Sequence, residues 1–125
     1  MTVNEITATK AEFKLDLDNA GLNVVDYVPG RVTPPIVIIT SGGTYITSGT
    51  LGGEYLLNLD CVAVAARADN ESATEALDEL LANLLLALEP LEYATLTGIG
   101  APYTLTTNNT EFLAANVSVN ILMTL

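Results

Sequence analysis

Two stretches that alternate apolar and polar side chains with period two, separated by one with helical period, fix most of what this chain can fold into. In Glu54 to Arg67, the residues Tyr55, Leu57, Leu59, Cys61, Ala63 and Ala65 share one side and Glu54, Asn58 and Asp60 the other. Residues 111–125 alternate as strictly, with Leu113, Ala115, Val117, Val119, Ile121, Met123 and Leu125 set against Asn116, Ser118 and Asn120. Between them, Ala73, Ala76, Leu77, Leu80, Leu81, Leu84, Leu85 and Leu88 recur at i, i+3, i+4 spacing. Ser72 and Glu75 stand at capping-box spacing before this run, and Pro90 ends it. Such a helix must cover one face of a sheet, and the small Ala63 and Ala65 leave room for it to lie close. Its other side, Thr74, Glu75, Asp78, Glu79 and Asn83, reads as a solvated surface.

The flanking segments complete the pattern. An N-terminal helix is expected from the Thr2 and Glu5 pair, a thin stripe of Ile6, Phe13 and Leu17, and a stop at Gly21; the thinness places it at an edge. Residues 23–29 suggest a short strand, and after the Pro29-Gly30 turn, Pro34 and Pro35 delay pairing until Ile36. Residues 36–39 are apolar on both sides, which a strand buried on both faces or one facing a neighbouring subunit explains. Residues 91–97 and 103–107 are Tyr- and Thr-rich strand pieces interrupted by Gly-Ile-Gly-Ala-Pro. The expected order is α-β-β-β-α-β-β. This is one α+β domain over residues 1–125, with an antiparallel or mixed sheet of four to five strands, one long helix on one face and a short N-terminal helix.

Residues 40–53 (TSGGTYITSGTLGG) carry no charge and are rich in Gly, Ser and Thr, so a mobile hairpin or long loop is expected. It reads either as an exposed connector or as a contact arm that orders on assembly. Tyr45, Ile46 and Leu51 are apolar groups that a connector does not need. With Arg31 and Gly43 they form the candidate contact set.

Chemistry is harder to place. The chain contains no histidine, which removes Ser-His and Cys-His pairs and the usual zinc ligand. Only Lys10 and Lys14 could activate a serine, and both fall on the first helix. The pairs Gly42-Gly43 and Gly52-Gly53 lack the following Lys-Ser/Thr of a phosphate loop. Asp16 and Asp18 imitate the start of a calcium loop, but Ala20 and Tyr27 stand where ligands are required. No catalytic residue, cofactor or metal site is therefore expected, and an enzyme is the least favoured class.

With 4 Lys+Arg against 15 Asp+Glu, a formal charge of -11 repels phosphate backbones and anionic membranes. Cys61 is the only cysteine, so an intrachain disulfide is impossible. No signal peptide and no apolar run long enough to span a bilayer is visible, so the Asn70, Asn108 and Asn116 sequons are read as chance matches.

The whole pattern resembles the tail terminator, or tail-completion, proteins of siphophages, particularly those of actinobacterial phages. The resemblance is carried by a short N-terminal helix, residues 24–39 (VVDYVPGRVTPPIVII), the Gly/Thr loop, the strand EYLLNLDCVAVAAR, the helix DNESATEALDELLANLLLAL, the APYTL strand and the closing alternating strand. It spans nearly the full chain and rests on order, length and a loose Val-Pro…Pro-Pro-Ile-Val pattern. It implies a structural virion protein forming a homo-oligomeric ring, usually a hexamer, that caps the tube of major tail proteins and provides the surface joining the head-tail connector. Such a ring sits at the head-proximal end of the tail after assembly in the host cytoplasm. Genomic DNA passes through it without specific binding, which an acidic wall suits. Two rivals are another tail subunit such as the tube protein, whose long β-arms this chain is short to carry, and a small-ligand-binding α+β domain with a defined apolar pocket.

Overall fold

A computed structural model describes residues 5–27, 30–48, 52–69, 71–107 and 109–124. Along the chain it forms α1 (Glu5–Asn19), β1 (Val24–Val25), β2 (Ile36–Ser48), β3 (Glu54–Arg67), α2 (Ala73–Leu88), β4 (Ala94–Ile99), β5 (Tyr103–Thr107) and β6 (Thr110–Thr124). The class is α+β with a mixed sheet. Among the described residues it has six strands rather than four to five, because the segments on either side of residues 100–102 form separate strands.

The two long alternating stretches pair with each other in the middle of the sheet, β3 antiparallel to β6 from Glu54↔Thr124 to Arg67↔Phe112. On one side β2 pairs antiparallel with β3, and β1 adds a short parallel pairing, Val24↔Val37 and Val25↔Ile38. On the other side β4 and β5 lie end to end along β6, both antiparallel to it. The Gly100 N–H donates to the Asn116 carbonyl at 2.9 Å, which holds the interruption against β6.

Register decides which side chains go inside. Leu57, Leu59, Cys61 and Ala63 of β3 and Ala115, Val117, Val119 and Ile121 of β6 are at most 1% exposed. With Val37 and Ile39 they meet Leu77, Leu80, Leu84, Ala87 and Leu88 of α2. Burial of this apolar surface is the main stabilising contribution in the molecule. Leu85, expected in the stripe, is 37% exposed, whereas Ala87 is buried: the helix is rotated slightly toward its Leu84 and Leu88 side. Ser72 occupies the N-cap position, but its φ of -93° and ψ of 12° are not the extended backbone that aims a hydroxyl at the first turn. The expected capping box at Ser72 and Glu75 therefore lacks its hydroxyl bond, and Ser72 serves through its carbonyl, which accepts the Ala76 N–H at 2.9 Å.

The N-terminal helix departs most from expectation. It has 15 residues against 16 in α2, so it is not short, and its thin stripe reaches the core rather than an edge. Phe13 and Leu17 are both fully buried in the cluster that α2 covers. The helix ends as expected. Gly21 adopts φ +92°, its N–H donates to the Asp18 carbonyl at 3.0 Å, and the Leu22 N–H donates to the Leu17 carbonyl at 3.3 Å, a Schellman closure that needs the left-handed residue. The starting cap at Thr2 lies outside the described residues. So does Pro29, and of the strand expected over 23–29 only Val24–Val25 pairs.

A smaller apolar cluster lies on the other face of the sheet. Ile36 and Ile38 pack there with Val32, Val64, Phe112 and Ala114, while Val37 and Ile39 point into the main core. The doubly apolar run at 36–39 is thus buried on both sides within one chain.

Candidate assembly surfaces

Residues 40–53 were expected to form a mobile hairpin or long loop, and the segment belongs to an antiparallel hairpin in which residues 40–48 continue β2. β2 continues to Ser48, pairing Thr40↔Asp60 and Ser41↔Leu59, and after an irregularity Ile46↔Leu57, Thr47↔Leu56 and Ser48↔Tyr55. Gly42 to Tyr45 form the bulge between the two registers, since Thr and Ile on either side favour extended backbone and the glycines permit the kink. The Asn58 side-chain amide pins the bulge by donating to the Thr44 carbonyl at 2.8 Å. Gly43 and Tyr45 are exposed on this rim, and Ile46 is half-buried against the main core. Leu51 lies outside the described residues.

Tyr45 is directed to the helix-covered side. Lys10 of α1 donates to its hydroxyl at 3.2 Å, and the same ammonium lies 5.5 Å from the ring centroid.

The structure does not bring Arg31 to this rim. Arg31 precedes β2, near Ile36, and Ile36 pairs with Val64 whereas Ile46 pairs with Leu57. Seven residues of β3 separate those positions, about 23 Å at the usual rise per residue. Arg31 instead lines a cavity of about 550 Å³ with Arg67, Thr107, Thr110 and Phe112. Both arginines of the chain border this cavity, and a lining of arginine and threonine suits a carboxylate or another small anion. Arg67 Nε also lies 3.6 Å from Asp69 Oδ1, an exposed pair that contributes little.

The open face between these regions is polar. Ser118 donates to Asp60 Oδ1 at 3.0 Å, Tyr103 donates to Asn116 Oδ1 at 2.8 Å, and Thr40 donates to the Asp60 carbonyl at 3.3 Å. Asn58, Asp60, Asn116, Ser118 and Asn120 are all half-buried there. The Tyr103 hydroxyl is held above the usual tyrosine value by burial, and Asp60 adds to this.

Sequence reading missed a third region, on the opposite rim. Leu96, Ile99 and Tyr103 of β4 and β5 are 41%, 37% and 36% exposed, and Leu85 of α2 borders Leu96 across a shallow groove. Leu86 is 66% exposed and lies off the helical stripe, an apolar residue at a polar position that was visible in the sequence.

Ionisable groups inside the molecule are tuned toward neutrality. Burial pushes the Cys61 thiol up to about 12, with Asp60 adding to the effect, so the thiolate needed for nucleophilic chemistry is suppressed. Tyr93 is raised above the ordinary tyrosine value by burial, then by donating its hydroxyl to the Asp16 carboxylate, a bond that ties α1 to the segment after α2. Among the described residues, no group of three or more Cys, Asp or Glu is placed to hold a metal ion, and no helix is long and apolar enough to cross a membrane. No protein-family model matches the chain, and no curated protein matches it.

Proposed function

We infer that this chain is a structural subunit of a phage tail, a terminator that forms a ring, of six copies in the simplest case, on the head-proximal end of the tube. The observation that carries this reading is the open face of the sheet. Helices cover one face, and the middle of the other presents Asn58, Asp60, Asn116, Ser118 and Asn120, where Ser118 engages Asp60, Asn58 the Thr44 carbonyl and Asn116 the Tyr103 hydroxyl. A face with one carboxylate and no lysine or arginine at its centre gives a passing polyanion nothing to hold it. The succession of long strand, leucine-rich helix and closing strand on which the resemblance rests is kept, although α1 is not short and most of the Gly/Thr segment is strand, and the lack of histidine disfavours acid-base catalysis.

Quantitative mass spectrometry of purified particles, with gold labelling of the protein, tests this reading. About six copies at the head-proximal end are expected; copies in proportion to tube length indicate a tube subunit, and absence from particles removes the virion role. The arginine-lined cavity favours a second reading, a site for a small anion. Calorimetric titration with a dicarboxylate decides it, and loss of the heat in Arg31→Ala identifies the site.

A further inference from the structure

We propose that the sheet continues from one copy of the chain to the next, the outer edge of β2 pairing antiparallel with the β4–β5 edge of its neighbour. The inference rests on the ring reading for the number of copies. The contact itself is argued from the chain alone.

The first observation is where the charges are not. A free sheet edge offers unpaired N–H and C=O groups to any other strand, and proteins that stay monomeric guard such edges with lysine, glutamate or inward-pointing charge. All 19 charged residues of this chain lie outside two stretches, 32–53 and 93–110. Those stretches contain β2 on one edge and β4 and β5 on the other. In a molecule of net charge -11, where self-repulsion opposes any contact between copies, the two edge strands themselves carry no charge, and the charges beside them are opposite in sign, Lys10 at Tyr45 and Glu89 in the groove at Leu96. Among the described residues, β1 covers β2 only at Val37 and Ile38, and β4 and β5 pair with β6 alone.

The second observation is direction. β2 runs antiparallel to β3, β3 to β6, and β6 to β4, so β2 and β4 run antiparallel to each other. A rotation about an axis along the strands preserves strand direction and keeps the same face inward. It therefore sets β2 of one copy beside β4 of the next with the alternation unbroken. A two-fold pairing of like edges leaves the other uncharged edge bare; head-to-tail pairing uses both and closes a ring.

The third observation is that the apolar groups match in face. Leu96 and Ile99 pair with Val119 and Val117, which point to the helices, so they stand on the helix-covered side of their edge. Tyr45, held by Lys10 of α1, and Ile46, packed on the same core, stand on that side of the other edge. Continuation of the sheet brings Tyr45 and Ile46 of one copy against Leu96, Ile99 and Leu85 of the next.

Two same-sign substitutions test this, Tyr45→Glu on one edge and Leu96→Glu on the other, both at exposed positions, with thermal melts to show that each variant folds. Native mass spectrometry of the purified full chain should give a ring for the unchanged protein and monomers for each variant. The two variants mixed in equal amounts should give a dimer and nothing larger, because each supplies the edge the other lacks. A monomeric unchanged protein at high concentration, variants that still form rings, or a mixture that stays monomeric overturns the proposal. The ring test is separate from the tail reading: a ring formed this way by a protein absent from tails refutes the tail role alone, and six copies per tail with rings intact in both variants refutes the edge pairing alone.

Discussion

The two faces of the same strands differ in what holds them. On the covered face, side chains such as Leu59 and Val119 are at most 1% exposed and owe their position to exclusion of water. On the open face, one residue along each strand, Asp60 and Ser118 owe theirs to hydrogen bonds between half-buried groups. The covered face tolerates no charge, while the other is polar at its middle and apolar at the end where Ile36, Ile38, Val64 and Phe112 cluster. The period-two alternation of β3 and β6 therefore encodes a core on one side and a surface on the other.

The sharpest way to break that contrast is to place the same charge on each side. Leu84 is fully buried against the sheet, whereas Leu122 on the open face is 45% exposed. Leu84→Asp buries an unpaired carboxylate and should cost several kcal/mol, enough to unfold a domain of ordinary stability. Leu122→Asp should cost under about 1 kcal/mol, as surface changes do. Urea titration followed by circular dichroism separates the two. Equal losses would show that the open face is covered in the free protein.

A second prediction concerns how far the covered face extends. Because Phe13 is fully buried beside α2, Phe13→Ala should cost about 3–5 kcal/mol, as truncations of buried aromatics do. A helix merely lying at an edge would lose far less, so a urea-measured cost below about 1 kcal/mol would restore the edge position.

A third uses pH. The Cys61 thiol has an ordinary value of 9.0 and is pushed up to about 12 by burial in the covered face. A group raised in the folded state contributes stability fully below its unfolded value and loses it as pH rises toward the folded one. The melting temperature should therefore fall between pH 9 and pH 12, and fall less steeply in Cys61→Ala. A Cys61→Ala profile parallel to that of the unchanged protein would place the alkaline loss in the tyrosines, Tyr93 and Tyr103, whose values are also raised.

How much of this was legible follows the strength of each periodic signal. β3, β6 and α2 were legible because their patterns repeat over several turns or pleats, and the Gly21 stop because few residues adopt a positive φ. The length of β2 was not. A Gly-Gly pair inside Thr/Ile-rich sequence reads as a loop, while the pairing partner that makes it a bulged strand, Asn58 on β3, is remote in sequence. The depth of α1 was hidden for a similar reason: two residues, Phe13 and Leu17, do its packing, and their cavity is formed by other elements. Leu81, at the middle of the sequence stripe, is only half-buried, because the rotation of α2 is set by its contact with the sheet. Arg31 and the rim residues were read as one set from composition alone, which cannot see that they stand near opposite ends of a strand.

The smallest predicted effect lies on the outer side of α2, and its sign is informative. Glu79 is exposed, one turn after the exposed Glu75 and beside Asp78, in a chain already at -11. Like charges four residues apart on a helix destabilise it by roughly 0.2–0.5 kcal/mol. Glu79→Gln removes that repulsion without touching the covered face, so it should leave the fold intact and raise stability by a few tenths of a kcal/mol. Because the gain comes from exposed charges, it should shrink when the urea titration is repeated in high salt. A loss of more than about 1 kcal/mol would mean that Glu79 has a partner on the folded chain, and the outer side of α2 would then no longer count as a solvated surface.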